Sequence, residues 1–211
     1  MVPIETLMTY TVACILIILV PGPDNILAVS RGLSQGRLAA CISSAGAGLG
    51  LMVHVLVAFL GLAVLIQTSA VAFSVVKFAG AGYLIWLGIK ALRSRELIAF
   101  TSQSHLSHRA VFLTGFLTNV LNPKPALFVL AFVPQFVSPL HGAVELQTFL
   151  LGTWFALLAF AVFTVLGTFS SLFARWLESH PRAIFGLNIG AGITFIAAGL
   201  SVLLLGRAER S

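Results

Sequence analysis

The chain has 211 residues, 59% of them hydrophobic and only 9% charged, where a soluble domain runs at about 25% charged. That excludes an ordinary water-soluble domain: the composition belongs to a protein solvated mostly by lipid, with room for several spans of about 20 residues. The formal charge of +6 would suit a nucleic-acid binder, but the basic residues flank hydrophobic segments, the pattern that sets membrane topology, so no nucleic-acid partner is expected.

The first ten residues, MVPIETLMTY, lack the basic region of a cleavable signal peptide, so the first hydrophobic stretch is expected to remain as a helix. It runs from about Ile4 through Val20, is interrupted at Pro21 and resumes toward Ser30. Cys14 and Cys41 lie within or beside apolar segments and read as small apolar filler. Between Arg37 and Lys77 there is no formal charge. This is too long for one span, so it holds a second helix, a turn near QTSA and the start of a third helix ending near Leu92.

The polar stretch RSRELIAFTSQSHLSHR follows. A fourth span starts near Arg109, is interrupted at NPKP and continues to about Val137. The fifth covers roughly Leu146 to Phe173, the sixth Ile184 to Leu205. The expected fold is an all-α membrane protein with six transmembrane helices in one domain over 1–211. Its first repeat is about 1–92, a loop about 93–108, and its second repeat about 109–206.

Three spans per half force the second copy into the membrane upside down, so the two repeats are inverted, with helices 1 and 4 broken. The halves resemble each other: PGP at Pro21 matches PKP at Pro123, and 29 residues beyond each comes a glycine, Gly50 and Gly152. Gly80-Ala81-Gly82 and Gly190-Ala191-Gly192 recur near the ends, on faces open to internal packing or to a homo-oligomer. Interrupted helices in matching places of inverted repeats point to a transporter's binding site.

Arg31, Arg37, Lys90, Arg93, Arg95, Arg109, Arg175 and Arg182 fall on one side of six spans, and only Arg207 and Arg210 on the other. The first side is then cytoplasmic, with both termini outside. Lys77, one turn inside the third span, reads as a snorkelling anchor.

Proline removes a backbone donor and displaces the carbonyl one turn earlier, and the residue before it avoids helical geometry. Two prolines spaced by one residue, twice over, open each helix, and in hydrocarbon the freed groups need protein or a water-filled cavity. Pro21, Gly22 and Pro23 make the first break, and Pro123 and Pro125 the second; Gly22 allows close approach to the backbone. Asp24 and Lys124 are charges inside spans, where they face a cavity or a partner.

Under inverted symmetry the breaks meet, so Asp24 and Lys124 are expected to pair in the empty site. A zwitterion would replace that pair, its ammonium on Asp24 and its carboxylate on Lys124, aided by helix N-termini. Asn25 and Asn122 are candidates to hydrogen-bond it, and Gln135 is a further one. Plainer readings stay open: Asp24 as an N-cap, Lys124 snorkelling to the interface.

Gly46, Gly50 and His54 share a helix face. The glycines allow close packing, and His54 either relays protons or is a hydrogen-bonded structural residue. His105, His108, His141 and His180 show no metal-ligand spacing; no metal site and no cofactor are expected. Tyr83, Trp86, Trp154 and Trp176 read as belt or core aromatics.

The stretches PGPDNILAVSRGLSQGR, AGAGYLIWLGIKALR and NPKPALFVLAFVPQF resemble, nearly along the whole chain, the LysE/RhtB family of amino-acid exporters. The resemblance implies a bacterial inner-membrane exporter of amino acids or similar metabolites, driven by the proton-motive force. It carries Pro21, Gly22, Pro23, Asp24, Asn25, Asn122, Pro123 and Lys124 over as the transport site. After Gly36-Arg37 the family often has Arg-Ala-Gly, where this chain has Leu38-Ala39-Ala40. An exporter of cations or other metabolites is the nearest alternative, though one carboxylate beside a lysine makes a poor cation cage. An enzyme lacks its nucleophile and base, and a purely structural membrane protein has no need of two charged helix breaks.

Overall fold

A computed structural model describes residues 2–20, 22–68, 70–93 and 105–170, and beyond these 172, 176, 186, 189, 190, 192, 193, 195–197, 199, 200 and 203. The side chains of 61–68, 70–73, 76, 77, 87 and 91 are not described. Pro21, Arg95, Arg175, His180, Arg182, Arg207, Arg210 and the side chain of Lys77 therefore lie outside what the structure describes.

Among the described residues all regular structure is helical: α1 (Ile4–Leu19), α2 (Pro23–Thr68), α3 (Ala70–Arg93), α4 (His108–Val120), α5 (Pro123–Ala131) and α6 (Val144–Thr168), with short 3-10 turns at Val133–Phe136 and Pro139–His141. Two helical stretches are long and apolar enough to cross a membrane, Pro23–Leu60 and Val144–Thr168. The pair His108–Val120 and Pro123–Phe136, bent by 50°, is a third if it forms one span. The described residues are thus those of a helical membrane protein.

Both expected breaks are present. α1 stops at Leu19 and α2 begins at Pro23; α4 stops at Val120 and α5 begins at Pro123. In each case proline opens the new helix, where its missing N–H has no intrahelical partner to lose. Asn122 caps α5, its Oδ1 accepting from the Lys124 N–H at 3.0 Å.

One break was not expected. Gly36 has φ 82° and ψ −175°, in the region that favours glycine, and divides α2 into 23–35 and 37–68. The first half-helix therefore runs past Ser30. This corrects the placement of Arg31: it lies in the half-helix, 3% exposed, and its Nη1 donates to Gln35 Oε1 at 2.9 Å. Gln35 in turn exchanges two hydrogen bonds with the Leu106 backbone ahead of α4. Arg31 is a buried cation rather than a loop charge.

α2 is the spine. It packs on α6 antiparallel, Ala40 meeting Gly167, Gly48 meeting Phe160 and Val55 meeting Gly152. It packs on α4 in parallel, Ser43 against Gly115 and Gly50 against Phe116 and Asn119. A β-carbon on Gly46 would overlap the backbone of Phe112 and Phe116, so the expected glycine face is used for close helix contact.

α3 meets α5 where Gly80 lies on Ala131, and the described positions of the carboxy-terminal segment pack on α3, Gly192 against Leu92 and Gly199 against Ile85. Gly80 and Gly192 thus serve internal packing. α1 is held to α6 by Tyr10 Oη donating to the Leu151 carbonyl at 3.1 Å and Trp154 Nε1 donating to Thr11 Oγ1 at 2.9 Å. An aromatic stack of Tyr10, Phe132, Phe136, Phe128 and Phe155 fills the space between α1, α5 and α6.

Candidate functional site

A helix that stops inside an apolar environment leaves its last carbonyls without donors, and both breaks are built around that need. At the first, Asn25 Nδ2 donates to the Ile18 carbonyl at 2.7 Å, so Asn25 reaches back from α2 to close the end of α1. Lys124 Nζ donates to the Val20 carbonyl at 2.8 Å, crossing from the second break to the first. At the second break the Asn119 carbonyl accepts from the Asn122 N–H at 3.0 Å and from His54 Nε2 at 3.1 Å.

The two breaks therefore meet, and their side chains bond across the gap. Asp24 is 7% exposed and Asn122 6%; Asn122 Nδ2 donates to Asp24 Oδ2 at 2.7 Å. Asp24 is the second residue of α2 and spends this oxygen on a side chain from the other half of the molecule, so it is no N-cap; Gly22 precedes the helix, its carbonyl accepting the first turn's bond from Ile26 at 3.0 Å. Nor does Lys124 snorkel outward, since its ammonium is fastened to the Val20 carbonyl. A β-carbon on Gly22 would come 3.4 Å from Lys124 Nζ, so the absent side chain leaves the ammonium its place.

Asp24 and Lys124 are brought together but do not hydrogen-bond to each other, which corrects the expected pairing. The reason is the backbone: the first break frees the Val20 carbonyl, and the ammonium is the donor that reaches it. The carboxylate takes a neutral amide instead, from Asn122. Asp24 Oδ1 is left buried with no hydrogen-bond partner.

Of the remaining candidates, Pro23, Pro123 and buried Pro125 shape the two helix starts. His54 stands behind the second break. Gln135 lies at the far end of α5, where its amide donates to the Ala131 carbonyl at 3.0 Å.

One polar residue at the site carried no expectation. Asn119, 1% exposed, lies in the last turn of α4 beside the Asp24 carboxylate, and its own Oδ1 is buried and unpartnered. No spacing in the sequence marks it: Asn122, three residues on, lies past the end of α4 as the cap of α5, so the two share no helix face.

The assembly brings an acid, a base and the amides of Asn119 and Asn122 to the junction of two helix breaks. It offers an acceptor oxygen to a cationic group and an ammonium to an anionic one.

Residues 15–206 match the family described as LysE type translocator. The chain is 32% identical over 196 residues to the homoserine/homoserine lactone efflux protein of Salmonella typhi, covering 90% of this chain and 92% of that one. It is 31% identical over 201 residues to the leucine efflux protein of Klebsiella pneumoniae, covering 93% and 94%. An uncharacterized membrane protein of Vibrio cholerae shares 35% identity over 137 residues, 64% of this chain and 67% of that protein. No solved structure gives a significant match.

Proposed function

The chain belongs to the LysE type translocator family, and on that premise we propose that it is a secondary-active exporter of amino acids or related small metabolites. It works by alternating access around the junction of the two helix breaks, and the proton-motive force drives it. One observation carries the reading: Asp24 and Lys124, from opposite halves, lie at that junction bonded to Asn122 and to the Val20 carbonyl rather than to each other. A zwitterion takes both places, its ammonium on Asp24 Oδ1 and its carboxylate on Lys124. The names of two relatives, a homoserine/homoserine lactone efflux protein and a leucine efflux protein, agree with an amino acid or a related metabolite as cargo.

Export against a gradient needs the site to empty on the outer side and reload inside. Asp24 supplies the exchange: a proton taken from outside displaces the ammonium, and the proton leaves inside as new substrate binds. In a low-dielectric pocket the carboxylate's charge is neutralised by one cation at a time, either the proton or the ammonium, and that exclusion couples the two flows.

The proposed frame is six spans in two inverted repeats, in a bacterial inner membrane, with both termini outside. Its support is reciprocal packing, the first helix of each half lying on the second helix of the other: α4 on α2, and α1 on α6. The parallel course of α2 and α4 and the antiparallel course of α2 and α6 are those of a three-helix unit inverted against its copy.

The test is export of L-leucine and L-homoserine, with Asp24→Asn beside the unaltered protein, in cells and in proteoliposomes. The variant inserts normally and exports neither compound. A fully active Asp24→Asn protein removes the carboxylate from the mechanism.

A further inference from the structure

The proposed mechanism uses Asp24, Asn122 and Lys124; it gives no role to the residue packed most tightly beside them. Asn119 is buried more completely than any of the three, and it is placed by α2 in two independent ways. Gly50 lacks a side chain where a β-carbon would meet Asn119 Cβ at 2.9 Å and the Phe116 carbonyl at 2.7 Å, so α4 comes close enough to set Asn119 against the site. One turn further along the same face, His54 Nε2 lies 3.1 Å from the Asn119 carbonyl. A carbonyl oxygen only accepts, so this ring nitrogen carries the hydrogen and the imidazole acts as a donor there.

The result leaves two buried side-chain oxygens without donors, Asp24 Oδ1 and Asn119 Oδ1, on neighbouring residues from the two halves. Buried polar atoms are normally satisfied, and two such orphans side by side mark a place built for a group that arrives. A side-chain amide suits it because it holds a donor and an acceptor. Turned one way it offers N–H to an ionised carboxylate; turned the other it offers oxygen to a carboxylic acid or to an ammonium.

We propose that Asn119 is a further transport-site residue, held in place by His54, whose amide follows Asp24 between its empty, protonated and ammonium-bound states. It thereby helps to bind the substrate ammonium and sets the pH range over which export runs. The inference rests on the transport-site reading of Asp24. Among the described residues, the titratable groups facing Asp24 are Lys124 from α5 and His54 from α2, and the polar amides beside it are those of Asn119 from α4 and Asn122, the cap of α5.

The experiment uses the full chain in proteoliposomes, with L-leucine and L-homoserine as probes and Asn119→Leu, Asn119→Ser, His54→Leu and His54→Gln as variants. Two quantities are read: KM and Vmax of transport across a pH series, and the infrared band of the protonated Asp24 carboxyl against pH, assigned with Asp24→Asn and independent of any substrate.

Asn119→Leu and Asn119→Ser raise KM about tenfold with Vmax little changed, and move the midpoint of the Asp24 band by about one pH unit, the scale of one hydrogen bond to a charged group. His54→Leu does the same through Asn119, whereas His54→Gln keeps a donor for the Asn119 carbonyl and restores the original values. An Asp24 band that does not move in either Asn119 variant overturns the inference while leaving the role of Asp24 intact. So does a His54→Gln protein that behaves like His54→Leu. A transport-competent Asp24→Asn protein instead removes the reading beneath it.

Discussion

Lys124 shows how a single backbone rupture redirects a charge. A lysine beside a buried aspartate would ordinarily be read as an ion pair, yet its ammonium lies on the Val20 carbonyl at 2.8 Å. A neutral partner satisfies the hydrogen but not the charge, so the cation stays attractive to an arriving carboxylate, which makes a stronger, charge-assisted bond. Replacing Lys124 with Met should therefore discriminate between cargoes. Export of L-leucine falls by about tenfold or more, the range of a bond to a charged group, while export of L-leucinamide, which has no carboxylate, falls far less. Parallel flux measurements in vesicles check it, and an equal loss for both compounds would mean that Lys124 only supports the fold.

At the scale of the helix, the parts of the fold that could be read from the chain are those with a chemical cause in one or two residues. Proline cannot donate, so Pro23 and Pro123 announced both breaks, and the charges beside them are what made the breaks candidates for a transport site. Gly36 was not legible because its effect depends on φ, which the letter glycine permits without requiring; Gly22, Gly46 and Gly50 carry the same letter and do quite different things. Arg31 was misplaced for a related reason: a cation near a span end looks like a loop residue until the half-helix is known to continue to Gly36. Asn119 escaped notice because an isolated asparagine in a span has no pattern of its own, and only contact with the other half gives it meaning.

The same contrast yields a prediction. Gly46→Ala puts a methyl group into the backbone of α4 at Phe112 and Phe116, which cannot retreat without separating the helices, whereas Gly36→Ala meets nothing within 4 Å and suffers only the strain of its positive φ with ψ near 180°, about 1–3 kcal/mol. Thermal unfolding in detergent should show a large drop in Tm or loss of the folded peak for Gly46→Ala, and a small drop for Gly36→Ala. Similar losses for both would mean that the close α2–α4 contact contributes little to stability.

For the whole molecule, the decisive question is which parts face which side of the membrane. The exposed turn Pro139–His141 follows the second break and α5, and the segment 105–107 precedes α4; between them runs the bent helix pair that forms one span in the proposed frame. Leu140 is 91% exposed and His105 is also exposed, so both positions accept a reporter without disturbing the core. The chain has two native cysteines, Cys14 and Cys41, and replacing them gives a background for single-cysteine labelling. In intact cells an impermeant maleimide should label Leu140→Cys readily and His105→Cys only after the membrane is opened, because the proposed orientation puts the Lys and Arg around Arg109 and Lys90 on the cytoplasmic side. The reverse pattern inverts the proposed orientation while keeping the span. Labelling of both positions from one side would mean that the bent pair enters and leaves by the same face, and the meeting of two broken spans at Asp24 and Lys124 would lose its inverted-repeat explanation.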